Sequence, residues 1–387
     1  MKSEWKKVRL GDVAFITDGD HLPPPKTDYG IPFIYISNIE GFNKINFTDC
    51  SYVPEDYYEK IIDKRKVKEN DILYTVVGSY GIPVLVKSET KFCFQRHIAL
   101  IRVEKINSEF LVQALDSGAF RLQADKVAIG EAQKTVTLDN LRKMTINLPP
   151  LSDQLKIAET LSVWDSAIEK TERLISEKDK LFNGVSQKIF RKCGNKHRIS
   201  DYLSIRNEKC IPDDTIPLYS LTIEDGVTPK SDRYDREALV KDIDEKEYKV
   251  VYPGDIVFNP ANLRWGAIAK SNETKKVAVS PIYEVLRLDA SKINSDYLTF
   301  LLTSKDKIRY YSTKTEGTLV ERMAVKVDVF LNFEIEIEED IEKQKSAAEV
   351  LSTLKKEIIL LRKQLEQYKL QKQGLVQKLL TGEWRVK

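Results

Sequence analysis

Cysteine is scarce: the 387 residues hold four, Cys50, Cys93, Cys193 and Cys210, with no CxxC pair among them. Such scattered thiols offer no disulfide framework and point to a reducing cytoplasm. Histidine is scarcer, and His21, His97 and His197 are too far apart in sequence to suggest a zinc site. There is no GxxxxGKS/T phosphate loop and no HExxH helix, so neither a cofactor nor a metal is expected. Long apolar runs are lacking too. The longest uncharged stretch, Ile72 to Val86, is broken by Gly78, Gly81 and Pro83 and is too short to cross a bilayer. The start, MKSEWKKVRL, has no apolar core and does not read as a secretory signal. Charge of one sign is lacking as well: the net is +3 with 31% charged residues. Nucleic-acid binding must therefore come from a local basic surface. The length allows two or more domains, each with its own core.

What is present is a stretch that occurs twice. Leu151 to Phe190 lies on about Ile341 to Leu380 without a gap, Gln154 falling on Gln344, an offset of 344 − 154 = 190. At that offset Ala158, Glu159, Leu161, Ser162, Ile168, Gly184, Gln187 and Lys188 meet Ala348, Glu349, Leu351, Ser352, Ile358, Gly374, Gln377 and Lys378. Both copies carry a heptad seam. Leu161, Ile168, Ile175, Phe182 and Ile189 form it in the first, and Leu351, Ile358, Leu365, Lys372 and Leu379 in the second. An apolar residue every 3.5 positions, with charges between and no proline inside, describes a helix that packs along a partner helix. A helix of about 39 residues is roughly 58 Å long. The matched phase predicts that the two copies pair with each other, with Ser152 as the N-cap of the first.

The chain between the copies is duplicated as well. RLGD at Arg9 resembles RISD at Arg198, IPFIYISNIEG from Ile31 resembles IPLYSLTIEDG from Ile216, and NDILY at Asn70 resembles GDIVF at Gly254. Gly81 meets Gly266, the strand ending in Arg102 meets one ending in Arg287, and SEFLVQAL from Ser108 meets SDYLTFLL from Ser295. Six pairs in one order indicate two domains, and the unit is far too long for a solenoid repeat. Strands are expected at Ile31–Ser37, Asp71–Val77 and Phe94–Val103, a helix from Ser108 to Asp125, and extended chain over Leu141–Leu148. The fold class is α+β: two similar α/β domains at opposite ends of an antiparallel helix pair. The expected boundaries are residues 1–149, 150–192 (helix), 193–337 and 338–387 (helix). GEWRVK at Gly382 and SEWKKV at Ser3 predict that the chain ends meet.

This layout resembles the specificity subunit of type I restriction–modification systems. The resemblance covers essentially the whole chain. Its local marks are LPPLSDQLKIAETL from Leu148, similar to the family's entry into the first spacer, and Gly184-Val-Ser-Gln-Lys188 and Gly374–Gly382, similar to its helix ends. Asp153 stands where Glu is usual, and the second spacer has Glu336-Ile-Glu-Glu in place of the double proline. The resemblance implies a non-catalytic reader of a bipartite double-stranded DNA site. Two DNA methyltransferase subunits would be held by it, and restriction/translocase subunits in the full complex, with no membrane association. A protein-only coiled-coil scaffold and a stand-alone nuclease or methyltransferase are the alternatives.

Candidate DNA-contacting residues are basic and amide side chains in turns. Gln95, Arg96 and His97 sit beside a strand, and Gln and Arg are the main readers of A and G edges; a satisfied strand-end cluster is the plain reading of the same residues. Ser79 and Tyr80 lie between Gly78 and Gly81, and Arg264 and Trp265 precede Gly266; a loop reaching a groove and an ordinary turn around a core Trp both fit. His21 and Lys26 lie in the irregular stretch Thr17–Tyr29, and Lys230 and Arg233 in its counterpart. Two weak catalytic patterns complete the survey. Asn259-Pro-Ala-Asn262 lacks the second Pro and the aromatic of a methyltransferase box, and Asp71 with Glu89-Thr-Lys91 fits a loose nuclease pattern that charged sequences generate by chance.

Overall fold

Ile72-Leu73-Tyr74-Thr75 is buried on both sides, as a strand covered on two faces must be. In the computed structural model of the chain, which describes residues 5–21, 24–191, 194–229, 247–314 and 324–386, this strand lies inside a four-stranded antiparallel sheet. The order is Ala14–Asp18, Ile98–Val103, Ile72–Thr75, Pro83–Leu85. Helices Ser108–Asp116, Gly118–Val127 and Leu138–Lys143 accompany it in the domain. A smaller sheet joins Ser51–Val53, Ile31–Ile34 and Cys93–Phe94, the last two parallel. Lys6–Arg9 pairs with Thr145–Leu148 and ties the start of the domain to its end.

The second half repeats the plan. Its four-stranded sheet runs Leu203–Ile205, Glu284–Leu288, Ile256–Phe258, Ile268–Lys270. The parallel pair recurs as Leu218–Thr222 with Val277–Val279, and the closing pair as Asn195–Arg198 with Glu334–Ile337. Local chemistry is repeated as well. Asp12 and Asp201 accept the backbone N–H of Arg9 and Arg198. Asn107 and Asn294 cap their helices by accepting from Phe110 and Tyr297 at 2.8 and 2.9 Å. Gly81 and Gly266 both have φ near +92°, a left-handed conformation that costs glycine little. A Cβ at Gly81 would strike Arg121, and one at Gly266 would press on Ile308 at 3.0 Å.

The long helices are Leu151–Phe190 and Ile341–Thr381. The chain divides into two compact units, Met1–Glu172 with Gln364–Lys387, and Arg173–Lys363. Each unit thus holds one domain and one stretch of each helix. In the first, Trp164 meets Tyr368 edge-on at 5.9 Å, Asp165 pairs with Lys372 at 2.6 Å and Glu172 with Lys369 at 3.2 Å, so the helices run antiparallel. In the second, Lys178 pairs with Glu357 and Asp179 with Arg362. Along the seam Leu161, Leu351, Ile358, Leu365 and Leu379 are buried, and Ile168, Ile175, Phe182 and Ile189 half-buried. In the first unit Ile157, Ala158, Leu161, Leu379 and Leu380 enter the domain core; in the second Ala348 does, with Ile189 and Phe190 packed against it. The chain ends meet within the first unit. Arg385 lies over the Trp5 ring at 4.7 Å and bonds Asp153, while Asn147 donates to the Leu380 carbonyl at 3.1 Å.

Several local expectations are corrected. Ser152 is inside the first long helix, because the Pro150 carbonyl already accepts from Asp153 and Gln154. At the second long helix the cap is Asp340, whose carboxylate takes the Glu342 N–H at 2.9 Å. The single helix expected over 108–125 is two, since Ser117 accepts from Phe120 and starts a new one. Phe94–Val103 is interrupted by a turn at Gln95–His97, and Leu138–Lys143 is helical before the strand Thr145–Leu148. Among the described residues no helix is long and apolar enough to cross a membrane.

Candidate nucleic-acid interface

Strand register decides which candidates share a surface. Asp18 pairs with Ala99, and Ile98 pairs with Thr75. The segment after Asp18, the turn before Ile98 and the segment after Thr75 therefore leave the sheet at one edge. This gathers His21, Gln95, Arg96, His97 and Ser79, which are distant in sequence. The edge is held by main-chain bonds: Arg96 N–H to the Asp20 carbonyl at 2.9 Å, Gln95 N–H to Ile34 at 3.1 Å, and Val76 N–H to His97 at 3.0 Å.

The side chains differ in what is left to them. Arg96 is exposed and makes no ion pair among the described residues, so its guanidinium fork is available. His97 is half-buried; burial first, and then the Arg96 charge, lower the imidazole from its ordinary value and favour the neutral ring. The His21 ring bonds Asp18 at 2.7 Å, and Asp18 also accepts from Arg65 at 3.1 Å. Lys26 is exposed, 6.0 Å from the Tyr35 ring. Ser79 is exposed on its turn. Tyr80 is committed elsewhere: only 6% exposed, it donates its hydroxyl to Asp125 at 2.8 Å beneath the Arg121 guanidinium. It belongs to the core and drops out of any base-reading set.

Sequence reasoning missed a neighbouring hairpin. Ile129 and Thr135 exchange backbone hydrogen bonds around Gly130, whose φ is +105°, and Gly78 N–H bonds the Lys134 carbonyl at 2.8 Å. Gln133 and Lys134 stand exposed on it, beside the turn that carries Ser79. The signal was a Gly-x-x-Gln-Lys stretch between a helix end and the Thr137 cap.

In the second unit the same edge carries Asn259 to Gly266. Trp265 is 55% exposed, so the core-Trp reading is overturned, and the Arg264 guanidinium stacks on its ring at 4.1 Å. Lys230 and Arg233 lie outside the described residues. The weak catalytic patterns dissolve. Asp71 is 2% exposed and clamped by Arg102 at 2.9 and 2.7 Å, and Asn259 bonds the Ala261 N–H of its own turn. Among the described residues no group of three His, Cys, Asp or Glu side chains is placed to hold a metal.

Residues 2–177 match the family model of the Type I restriction modification DNA specificity domain. The chain is 30% identical over 192 residues to the type I restriction enzyme MjaVIII specificity subunit of Methanocaldococcus jannaschii, a match spanning 46% of this chain and 45% of that protein. It is 25% identical to the putative MjaX specificity subunit of the same organism, across 99% of this chain and 94% of the relative. Among solved structures, the S subunit of a type I restriction–modification system from M. genitalium is similar, with a TM-score of 0.65 at 15% identity over 98% of this chain and 96% of that one. A chain from a structure of type I R-M complex assembly matches with a TM-score of 0.55 at 16% identity, over 98% of each. Residues 2–177 thus match a DNA specificity domain of type I restriction–modification systems, and over its whole length the chain is similar to specificity subunits of such systems.

Proposed function

We propose that the chain reads a bipartite site on double-stranded DNA, one half-site per globular domain. The domains are residues 1–149 and 193–337, and the helices within 150–192 and 338–387 set the gap between the half-sites. The observation that carries this reading is the duplicated sheet edge: Arg96, Gln95 and His97 with Gln133 and Lys134 in one unit, and the stacked Arg264–Trp265 pair in the other. Arg and Gln make bidentate contacts with G and A edges, and Lys contacts phosphate. The chain itself is non-catalytic in this reading. A methyltransferase subunit docks beside each helix pair, giving two per chain, and restriction subunits join in the full complex.

The test is an exchange of residues 1–149 for the matching domain of a relative, followed by methylome sequencing of cells that carry the system. One half of the modified motif should change while the other half and the gap stay. Alteration of both halves would refute modular reading. Methyl transfer by the purified chain without partners would refute the non-catalytic role.

A further inference from the structure

The two units differ most where each domain faces its helix pair. In the first, a groove of 1390 Å³ is lined among others by Gln113, Asp116, Asp165 and Lys372. The corresponding recess of the second unit, between Leu301, Lys305 and Gln187, measures 200 Å³. The repeat shows why. The pairing that carries Asn107 onto Asn294 carries Gln113 onto Phe300 and Asp116 onto Thr303, and the helix match carries Asp165 onto Lys355 and Lys372 onto Phe182. In the second unit Phe182 and Phe300 meet edge-on at 6.1 Å with Lys355 at 5.9 Å from the Phe182 ring, and close the space with apolar rings. In the first, Asp165 takes Lys372 at 2.6 Å and the Gln113 amide at 2.5 Å, and Lys372 also covers the Phe42 ring at 4.1 Å.

Two groups in the first groove are left wanting a donor. Gln113 is 4% exposed, and its carbonyl oxygen has no hydrogen-bond partner among the described residues. Asp116 is reached by water through the mouth of the groove and has no ion pair among the described residues. It is the last residue of its helix, where the dipole disfavours an anion. With Lys372 paired to Asp165, Asp116 is a carboxylate of this groove without a cation of its own among the described residues, and Thr303 stands at its place in the second unit.

Resting on the reading that a methyltransferase subunit docks beside each helix pair, we infer that the groove of the first unit receives a basic side chain of that subunit on Asp116 and the Gln113 carbonyl, so that the two docking sites of one chain are unequal. A lysine or arginine supplies the missing donor and neutralises the stranded carboxylate. In the second unit Phe300 and Thr303 stand at the places of Gln113 and Asp116, so neither the amide oxygen nor the carboxylate is offered there. Asp116 is exposed at the mouth of the groove, where an incoming cation reaches it.

The experiment titrates the full-length chain with the methyltransferase subunit of the same system, read by native mass spectrometry and calorimetry. Wild type should fill in two steps of different affinity. Asp116→Asn should weaken the tighter step at least about tenfold and leave the other unchanged, as loss of one member of a desolvated charge pair does. Asp116→Glu should keep the tight step, and matching thermal melts of the two variants exclude a folding defect. Two equal steps in wild type, or unequal steps untouched by Asp116→Asn, would overturn the inference while leaving docking itself intact. A wild-type chain that takes up no methyltransferase would overturn the docking reading, and this inference with it.

Discussion

Gln154 accepts the backbone N–H of Asn107 at 2.8 Å through its side-chain oxygen, and its amide donates to the Pro149 carbonyl at 2.9 Å. One residue near the start of the long helix thereby fixes the helix to the residue that caps a domain helix. Gln344 does the same in the second unit, accepting from Asn294 at 2.8 Å and donating to Glu338. Both are nearly inaccessible, at 3% and 1% exposure, so neither bond can be replaced by bulk water.

Gln154→Leu should therefore destabilise the first unit by about 2–4 kcal/mol, since each buried group left without its partner costs about 1–3 kcal/mol. Urea unfolding followed by circular dichroism reads it. The same change at an exposed helix position such as Gln373 should cost less than about 0.5 kcal/mol; equal effects at both positions would remove the clamp from the account.

The buried Asp71 is a structural carboxylate. It accepts from Arg102 twice and from the Lys68 N–H at 2.8 Å. Asp71→Ala should cost about 3–5 kcal/mol by stranding the arginine, and the double change Asp71→Leu with Arg102→Met should recover most of that loss. Chemical denaturation of the three proteins is the check. A variant of unchanged stability would count against the pair.

Asp116 gives a pH signature. Its carboxyl is pushed up to about 6 from the ordinary 3.8, chiefly by loss of water on its groove side, and solvent on its exposed side reduces the effect on stability. Between those values the folded chain holds a proton that the unfolded chain has already released, so this group's contribution falls as pH rises through that window and is lost above it. Asp116→Asn should match wild type at the acid end and melt slightly higher than wild type from pH 6 upward. Thermal melts across the range, with parallel curves as the contrary outcome, decide it.

The helices serve as a ruler in the proposed function. Four residues inserted after Ile168 and after Ile358 keep the apolar face nearly in phase while making a local stutter. They lengthen a helix by about 6 Å and turn it by roughly 40°. A base pair adds about 3.4 Å and roughly 34° at about 10.5 base pairs per turn. Rotation outweighs length, because a domain on the wrong side of the duplex loses its groove contacts, whereas small axial errors are absorbed by DNA deformation. The gap in the methylated motif should grow by one base pair, two at most, with both half-sites unchanged. An active variant with the original gap would show that the helices do not set it.

Periodicity and duplication were legible because they are one-dimensional. A heptad seam is written in steps along the chain, so Leu161 to Ile189 and Leu351 to Leu379 could be assigned from residue type alone. Repeated pieces such as Asn70–Tyr74 and Gly254–Phe258 carry the same backbone needs, down to positive φ at Asn70 and Gly254. The start of the first long helix was misread at Ser152, because the Pro150 carbonyl takes the first helical N–H groups; several local acceptors compete, and sequence does not rank them.

What only the tertiary structure decided is which distant residues share a surface and which polar groups find partners. Sheet register brings Arg96 beside His21 and Ser79, buries Tyr80 while exposing Trp265, and sets the hairpin of Gln133 and Lys134 next to Gly78. It also separates two similar domains by a handful of side chains, with Asp165 and Lys372 in one groove and Phe182 and Phe300 filling the other. The repeat dictates that both units fold alike, because their apolar patterns agree. The groove chemistry differs because each domain packs on stretches of both helices, and those contacts cross the repeat.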